Sequence, residues 1–199
     1  MDSIKTAYST AYNRLLLLAK KGKIGDVISV DATCTSLADG SGDDWNSITA
    51  WGPTALLPVF QLLGTDYKDK NINSLLLDSA ENFDLFTKID FTYPNAVASI
   101  KVGKGVKSEG ELIISGTKGY IYVPSPWWKT DYFEIRYEDA SQNKRYFYQL
   151  DGEGIRYELV AFTRAIGSGR NLACVDNKVS NKICDVIGNF YSKVDCAVI

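Results

Sequence analysis

Residues 109–138 form the segment around which the other predicted elements are arranged. Two runs of β-branched and aromatic residues, 112–114 and 120–123, alternate with the period of a strand and flank a four-residue turn bounded by glycines. This combination is typical of a β-hairpin. Two prolines then remove ladder donors and force an extended exit, and the alternation resumes at Thr130, which predicts a third strand. The prolines are expected to present three residues outside the sheet: Trp127, Trp128 and Lys129.

A helix is predicted near the start of the chain. Apolar residues recur with helical spacing between Tyr12 and Ala19, and Ser9 or Thr10 is placed to cap the first turn. Two lysines and then a glycine mark its end. The residues before this helix, 4–8, predict a short strand.

A strand, a loop and a second helix are predicted next. Residues 27–36 alternate as a strand with one buried face, and glycines and aspartates make residues 37–51 a long loop. The apolar run 54–63 predicts a helix with Pro53 in its first turn and a glycine after its last residue. Pro58 inside this run predicts a kink or a late start.

The pattern then changes to strands and returns to helices at the end of the chain. Besides the strands of the central segment, alternation predicts strands over residues 73–78, 83–92, 96–102 and 145–150. Helical periodicity follows over residues 155–166 and 178–194.

This order of elements predicts an α+β fold. Consecutive strands joined by short turns favour a mostly antiparallel sheet, and helices gathered before and after the strands favour packing on one sheet face. The other face stays open. With 12 tyrosines and four tryptophans available, we expect that open face to be covered by another copy or another domain.

The amino-acid composition is typical of an ordinary globular domain. The chain has 199 residues, 45% hydrophobic and 23% charged, which is enough for one core. The formal net charge is -2 and the basic residues are scattered, so no nucleic-acid surface is expected. The longest apolar run, residues 15–19, is far shorter than the roughly 20 residues of a membrane helix, and the N-terminus has no leader pattern. We therefore expect a cytoplasmic protein without membrane contact.

The available residue types limit the chemistry. The chain contains no histidine, so the commonest general base near neutral pH and every Ser-His or Cys-His nucleophile system are excluded. The four cysteines show no C-x-x-C spacing, which favours reduced thiols over a metal site. Asp39, Asp43 and Asp44 lack the spacing of a calcium loop and are expected to be solvated. Catalysis would therefore depend on carboxylates, lysine or tyrosine.

Lys5 and Tyr8 are the first candidate pair for ligand binding. Lysine offers a charge to a phosphate or carboxylate, and tyrosine offers a hydroxyl group to a sugar. The alternative is a surface lysine beside a core tyrosine. The sequence leaves both interpretations open.

Trp127, Trp128 and Lys129 form a second candidate group. Indole faces stack on sugar rings or bases, and an adjacent ammonium group binds polar ligands. The enrichment of tryptophan at interfaces favours the alternative, in which both indoles cover the sheet or fill an oligomer contact. Arg156 begins a predicted helix, where it is placed either to meet an anion or, as we favour, to pair with a neighbouring glutamate.

Several motifs, in order along nearly the whole chain, resemble one protein family. They are Asn13-Arg14-Leu15, residues 22–27 before a strand, Gly116-Thr117-Lys118-Gly119-Tyr120, and a segment from Tyr157-Glu158 through Phe162, Ala165 and Ile166 to Gly169. Together they look like the second domain of the Gfo/Idh/MocA oxidoreductases, the relatives of glucose-fructose oxidoreductase and inositol dehydrogenase. The resemblance implies an open-sheet domain for substrate contacts and oligomer interfaces, beside a Rossmann domain that binds NAD or NADP.

The resemblance further implies that the chain is only the second half of such an enzyme. No G-x-G-x-x-G follows a predicted strand, and the Glu-Lys-Pro segment with the family's catalytic lysine would lie before Met1. Residues 1–8 would be the crossover from the missing Rossmann domain, and residues 9–199 the substrate-binding and oligomerisation domain.

The isolated chain is therefore expected to bind no cofactor, to carry no catalytic residue and to transfer no hydride. Its expected role is to position a small polar substrate, a sugar or nucleotide-sugar, and to form a homo-oligomer through the open sheet face. The expected substrate-binding residues are Lys5, Tyr8, Thr54, Trp127, Trp128, Lys129 and Arg156.

One helix departs from the family pattern. Family members tend to carry an aspartate and a histidine on the helix that corresponds to residues 51–64, whereas here it offers Thr54, Leu57, Pro58 and Gln61. A non-catalytic binding or assembly module, which kept the sheet for self-association, is therefore the alternative. The Pro-Trp-Trp-Lys version of the family, here at residues 126–129, is similar to chains fused to a nucleotidyltransferase.

Overall fold

The computed structural model describes residues 3–37, 46–78, 83–169 and 173–198. Within these ranges the chain forms the following helices and strands: α1 (Thr10–Lys20), β1 (Val27–Ser36), α2 (Ser47–Leu63), β2 (Asp69–Asp78), β3 (Phe83–Thr92), β4 (Val97–Lys104), β5 (Leu112–Gly116), β6 (Tyr120–Val123), β7 (Tyr132–Arg136), β8 (Lys144–Phe147), α3 (Ile155–Ser168), α4 (Asn177–Tyr191) and β9 (Cys196–Val198). Asp39, Asp43 and Asp44 lie outside the described residues.

All these strands form one sheet in the order β8-β7-β6-β5-β1-β4-β3-β2-β9. Two neighbouring pairs are parallel, β1 with β4 and β2 with β9, and the other neighbours are antiparallel. The predicted α+β class with a mostly antiparallel sheet is confirmed. The predicted hairpin is also confirmed as β5 and β6, with a backbone hydrogen bond from Gly116 N–H to Gly119 O (2.9 Å) closing its turn.

The core lies between one face of the sheet and three helices. α2 packs on β1, β3 and β4, α4 packs on α2, and α1 contacts α2 and β7. In β1, Val30, Ala32 and Cys34 are fully buried, while Asp31 lies on the opposite face in a shallow polar cavity. Each fully buried aliphatic or aromatic side chain contributes about 1.5–3 kcal/mol, so this face supplies most of the hydrophobic stabilisation.

The N-terminal segment is a 3-10 helix, Lys5–Tyr8, and the predicted strand there is wrong. A backbone hydrogen bond from Ala7 N–H to Ile4 O (2.9 Å) closes this turn. Ser9 then caps α1, as predicted, by accepting a hydrogen bond from Tyr12 N–H (3.3 Å). The turn buries its apolar residues against α1, which a short strand without a partner could not do.

α2 begins well before residue 54, where the sequence pattern predicts its start, so part of the predicted loop is helical. Asn46 caps the helix by accepting a hydrogen bond from Thr49 N–H (3.1 Å). A second cap comes from another strand, because the buried carboxylate of Asp84 accepts from Ile48 N–H (3.1 Å). The start of α2 therefore depends on a residue of β3. Pro53, which the sequence pattern places in the first turn, lies inside the helix together with Pro58, so the predicted start is wrong.

The sequence pattern does not predict the C-terminal strand β9. The last helix ends at Tyr191, and the chain then turns to place Cys196 beside Ile72 of β2. Buried Lys70 forms an ion pair with Asp195 at this edge. Three residues are too few to show an alternation, which is why the strand has no sequence signal.

Candidate functional site

A pocket of about 610 Å³ opens between the N-terminal 3-10 helix, α2, the 3-10 helix Trp127–Lys129 and the start of α3. The large apolar residues of its lining are Ile4, Trp51, Trp128, Ile155 and Leu159. The lining also carries polar or charged groups, among them Lys5, Thr6, Thr54, Lys129 and Glu158. Such a mixture of aromatic wall and a few polar groups is typical of a small-molecule site.

The pocket brings together four of the seven residues expected to bind substrate. They come from three separate parts of the chain and are Lys5, Thr54, Trp128 and Lys129. The prediction that they contact substrate stays a prediction, but they share one cavity.

The other three expected residues lie outside the pocket lining. Tyr8 is a core residue with 6% of its surface exposed. Trp127 is fully buried, and its indole N–H donates to Thr33 O (3.1 Å), so the expectation that it lies outside the sheet is wrong. Arg156 is exposed and forms an ion pair (3.6 Å), as the favoured alternative expects, but its partner is Asp151 and not the predicted neighbouring glutamate.

Trp128 is held as a wall of the pocket by contacts on three sides. Thr6 Oγ1 donates to its backbone oxygen (2.9 Å), and its ring centroid lies 4.9 Å from that of Trp51. Behind it, Gly110 leaves space for the indole, because a Cβ atom at Gly110 would lie 2.8 Å from Trp128 Cζ3. The indole is 8% exposed, so it presents only an edge or part of a face to the cavity.

Sequence reasoning missed Trp51 and Glu158 as pocket residues. The sequence pattern places Trp51 in a loop, yet it lies one helical turn before Thr54 on α2, and its indole N–H donates to Ser36 Oγ (3.2 Å). Once α2 is extended toward its N-terminus, the three-residue spacing of Trp51 and Thr54 places them on one helix face. Glu158 occupies the first turn of α3, where its carboxylate also suits the helix dipole.

Two lysines and one glutamate meet at the mouth of the pocket. Lys5 and Lys129 each have about a third of their side chain exposed, and both bind Glu153. The Nζ atom of Lys129 lies 2.7 Å from Glu153 Oε1, and that of Lys5 lies 3.4 Å from Oε2. Hydrogen bonding and attraction from Lys129, with a smaller effect of Lys5, lower the pKa of Glu153. Two ammonium groups therefore share one carboxylate.

The side chains of the pocket are better suited to binding a ligand than to catalysing a reaction on it. The lysines can hold an anionic or hydroxyl-bearing ligand, and the tryptophans can cover an apolar ring face. Within the described ranges, no group of three or more histidine, cysteine, aspartate or glutamate residues comes together to hold a metal ion. In the same ranges no helix is long and apolar enough to cross a bilayer.

The open face of the sheet is polar and aromatic. Near its β8 edge, the guanidinium of Arg136 lies 4.5 Å from the ring centroid of Tyr122, and Glu134 forms ion pairs with Arg136 (2.5 Å) and Arg145 (3.2 Å). Further along, charged residues of both signs border a cavity of about 310 Å³, among them Asp31, Lys88, Asp90, Lys101 and Glu111.

The known proteins to which this chain is similar were found among solved structures, by comparison of the fold. No protein-family model matches the chain, and no curated protein does. Among solved structures, KijD10, a 3-ketoreductase from Actinomadura kijaniata in complex with NADP and TDP-benzene, is 12% identical with a TM-score of 0.80, over 100% of this chain and 63% of that chain. UDP-N-acetylglucosamine 3-dehydrogenase GnnA from Acidithiobacillus ferrooxidans is 13% identical with a TM-score of 0.76, over 97% of this chain and 60% of that chain.

The chain shares the fold of these sugar oxidoreductases. Both are Gfo/Idh/MocA-family proteins, so the fold expected from the sequence motifs is the fold observed. The chain spans about three fifths of their length. At these identities the likeness concerns the fold, and the residues of the pocket have to be argued from their own chemistry.

Proposed function

We propose that the chain is the substrate-binding and association domain of an NAD(P)-dependent oxidoreductase that acts on a sugar-like or nucleotide-sugar substrate. The cofactor is bound mainly by a dinucleotide-binding domain outside residues 1–199. The observation that carries the proposal is the pocket itself, which joins a two-tryptophan wall to two lysines in a fold shared with sugar oxidoreductases. In this proposal Trp51 and Trp128 cover a ring of the substrate, while Lys5, Lys129 and Thr54 bind its polar groups.

The exposed apolar face of α3 supports a neighbouring domain. Four large apolar residues recur with helical spacing and are roughly half or more exposed: Ile155, Leu159, Phe162 and Ile166. No residue of this 14-residue helix is buried. Contiguous exposed apolar surface of this kind marks an interaction site. We assign the dinucleotide-binding domain to this face, because the similar structures are longer than this chain and Ile155 and Leu159 also border the pocket.

The open sheet face is the proposed surface for self-association. It presents charges of both signs beside tyrosines, so two copies related by a twofold axis can pair opposite charges across it. Sedimentation of the isolated chain at increasing ionic strength tests this, since screening weakens such contacts. A monomer at all concentrations and low salt contradicts it.

One observation favours the alternative of a non-catalytic binding or assembly module, including one fused to a nucleotidyltransferase. The ionisable residues that line the pocket are Lys5, Lys129 and Glu158, and α2 presents Thr54 to it. The chain contains no histidine for proton transfer. A module of this kind would bind the same ligand without any redox partner.

Tryptophan fluorescence of the isolated chain during titration with UDP-glucose tests the binding site. Thr54→Phe adds a ring that obstructs the pocket and should abolish the quenching of Trp51 and Trp128, whereas Asn181→Phe adds the same ring on the exposed surface of α4 and should not. Equal binding by the wild type and Thr54→Phe refutes the pocket as the site.

Two measurements test the role of a second domain. The isolated chain mixed with NADPH and UDP-glucose should show no oxidation of NADPH, and turnover would contradict the proposal. Immunoblotting of the cells of origin separates the two functions, because the oxidoreductase requires a polypeptide or complex that contains the cofactor domain.

A further inference from the structure

A carboxylate of the protein already occupies the position between the two pocket lysines. Glu153 places one oxygen on Lys129 (2.7 Å) and the other on Lys5 (3.4 Å), although Lys5 and Glu153 are 148 positions apart in the sequence. Both lysines line the pocket, and Glu153 binds them without belonging to the lining itself. A carboxylate with each oxygen on a different ammonium has the arrangement in which a phosphate group would be bound.

The backbone that carries Glu153 is in an unfavourable conformation. Gly152 (φ 56), Glu153 (φ 55) and Gly154 (φ 90) are three consecutive residues with positive φ. Glycine adopts this region freely, but a glutamate there is strained because its Cβ crowds the backbone. The side chain of Glu153 is also 57% exposed, so water can solvate the carboxylate as soon as it leaves the lysines. The contact is thus easily exchanged for a stronger anion.

The neighbouring end of α3 adds to the attraction for anions. The helix has 14 residues, begins at Ile155 on the pocket lining, and has Gly154 as its N-cap, which has no side chain to cap the first amides. The N-terminal end of a helix carries a partial positive charge. After Glu153 leaves, two ammonium groups and this helix end face the same opening, opposed by Glu158 of the lining.

We propose that Lys5, Lys129 and the start of α3 form a binding site for the diphosphate of a phosphate-bearing ligand, and that Glu153 holds this site as an internal occupant until the ligand displaces it. This inference rests on the proposed substrate pocket and specifies its ligand class. A diphosphate carries more negative charge than one carboxylate, so it competes effectively for the two lysines. The sugar attached to it then lies toward the tryptophan wall, and the exchange moves residues 151–154 at the pocket mouth.

Isothermal titration calorimetry of the whole chain with inorganic pyrophosphate tests the site. Glu153→Gln should bind pyrophosphate roughly three- to tenfold more tightly than the wild type, because the competing carboxylate is removed. Glu153→Gly should show the same gain, since it removes the same competing carboxylate. Lys129→Ala should bind at least roughly tenfold more weakly, because it loses a charged hydrogen bond. Glu138→Gln changes the net charge equally at an exposed position and should have no effect.

Unchanged affinity in Glu153→Gln, or the same gain in Glu138→Gln, overturns the inference. UDP-glucose and NADPH identify the source of the diphosphate, since the one whose diphosphate lies on the two lysines should bind more tightly to Glu153→Gln and more weakly to Lys129→Ala. If UDP-glucose binding is lost in Thr54→Phe, while Glu153→Gln binds neither pyrophosphate nor UDP-glucose nor NADPH more tightly than the wild type, the anion site is refuted and the substrate pocket stands. If no variant binds UDP-glucose while pyrophosphate affinity responds to Glu153→Gln, the proposed function fails and the anion site stands.

Discussion

Gly110→Ala is a direct test of how the pocket wall is built. Gly110 is buried beneath the indole of Trp128, and a Cβ atom there would lie 2.8 Å from Cζ3 and 2.9 Å from Cη2 of that ring. Ser125 Oγ would be 3.0 Å away on another side. The backbone of Gly110 is not among those with positive φ, so the alanine is disfavoured by the contact and not by its own conformation.

The expected cost follows from these distances. Carbon atoms pack at about 3.5–4.0 Å, so the indole has to move by roughly 0.7 Å or more. Overpacking of this kind costs about 1–3 kcal/mol of unfolding free energy. Trp128→Ala alone should cost about 3–5 kcal/mol. In that background the new methyl group has the space of the missing ring, so Gly110→Ala should then cost less than about 0.5 kcal/mol.

A double-mutant cycle measures this coupling. Urea unfolding of the four proteins, followed by far-UV circular dichroism to avoid the change in tryptophan number, should give a coupling free energy of about 1–3 kcal/mol. Gly110→Ala should also weaken UDP-glucose binding, because Trp128 is displaced into the cavity. Additive costs within about 0.5 kcal/mol refute the contact between Gly110 and Trp128 as the reason for the glycine.

Three further predictions concern the core and the helix surface. Desolvation raises the pKa of the buried Asp84 carboxyl above its value in the unfolded chain. Protonated Asp84 therefore stabilises the folded state below about pH 4, and this stabilisation is lost as the pH rises through the raised pKa. Asp84→Asn should therefore gain stability relative to the wild type between about pH 3 and 7 in urea unfolding, with exposed Asp26→Asn as the control. Asp195→Asn should cost about 1–2 kcal/mol and more than Lys70→Met, because it leaves the buried ammonium of Lys70 without its carboxylate. Phe162→Glu should change the unfolding free energy of the isolated chain by less than about 0.5 kcal/mol, since α3 exposes this side chain.

Each of these has an outcome that contradicts it. A difference between Asp84→Asn and the wild type that does not vary with pH would show that burial does not disfavour ionisation of Asp84. A larger loss in Lys70→Met than in Asp195→Asn would show that the Lys70 side chain stabilises the edge by packing and not through its charge. Strong destabilisation by Phe162→Glu would mean that α3 is packed in the isolated chain, and the assigned domain surface would be wrong.

The best predictions from sequence concern elements whose signal is local. The strand β3 has the predicted bounds, residues 83–92, because four apolar residues and one threonine at alternating positions define it without help from elsewhere. Ser9 caps α1 within its own first turn, and the glycines of the β5–β6 turn act within four residues. The α+β class followed from the order of these elements, since strands joined by short turns pair with their neighbours.

The candidate site was only partly predictable. Lys5, Thr54, Trp128 and Lys129 were selected for their chemistry, which the sequence shows, and they do share a pocket. The sequence did not separate Trp128 from Trp127, its neighbour, because the direction of each indole depends on the space left by Gly110 and on the carbonyl of Thr33. Both partners are distant in sequence.

The sequence by itself determined the local elements, the class of fold and the chemical groups available for binding. The tertiary structure decided where α2 begins, through Asp84 of β3, and which residues meet at the pocket mouth, through the approach of Glu153 to Lys5 and Lys129. The physical reason is the distance along the chain over which each interaction acts. Turns, caps and alternation act over a few residues, whereas burial, capping from another strand and ion pairing at the pocket require the packed sheet to bring distant segments together.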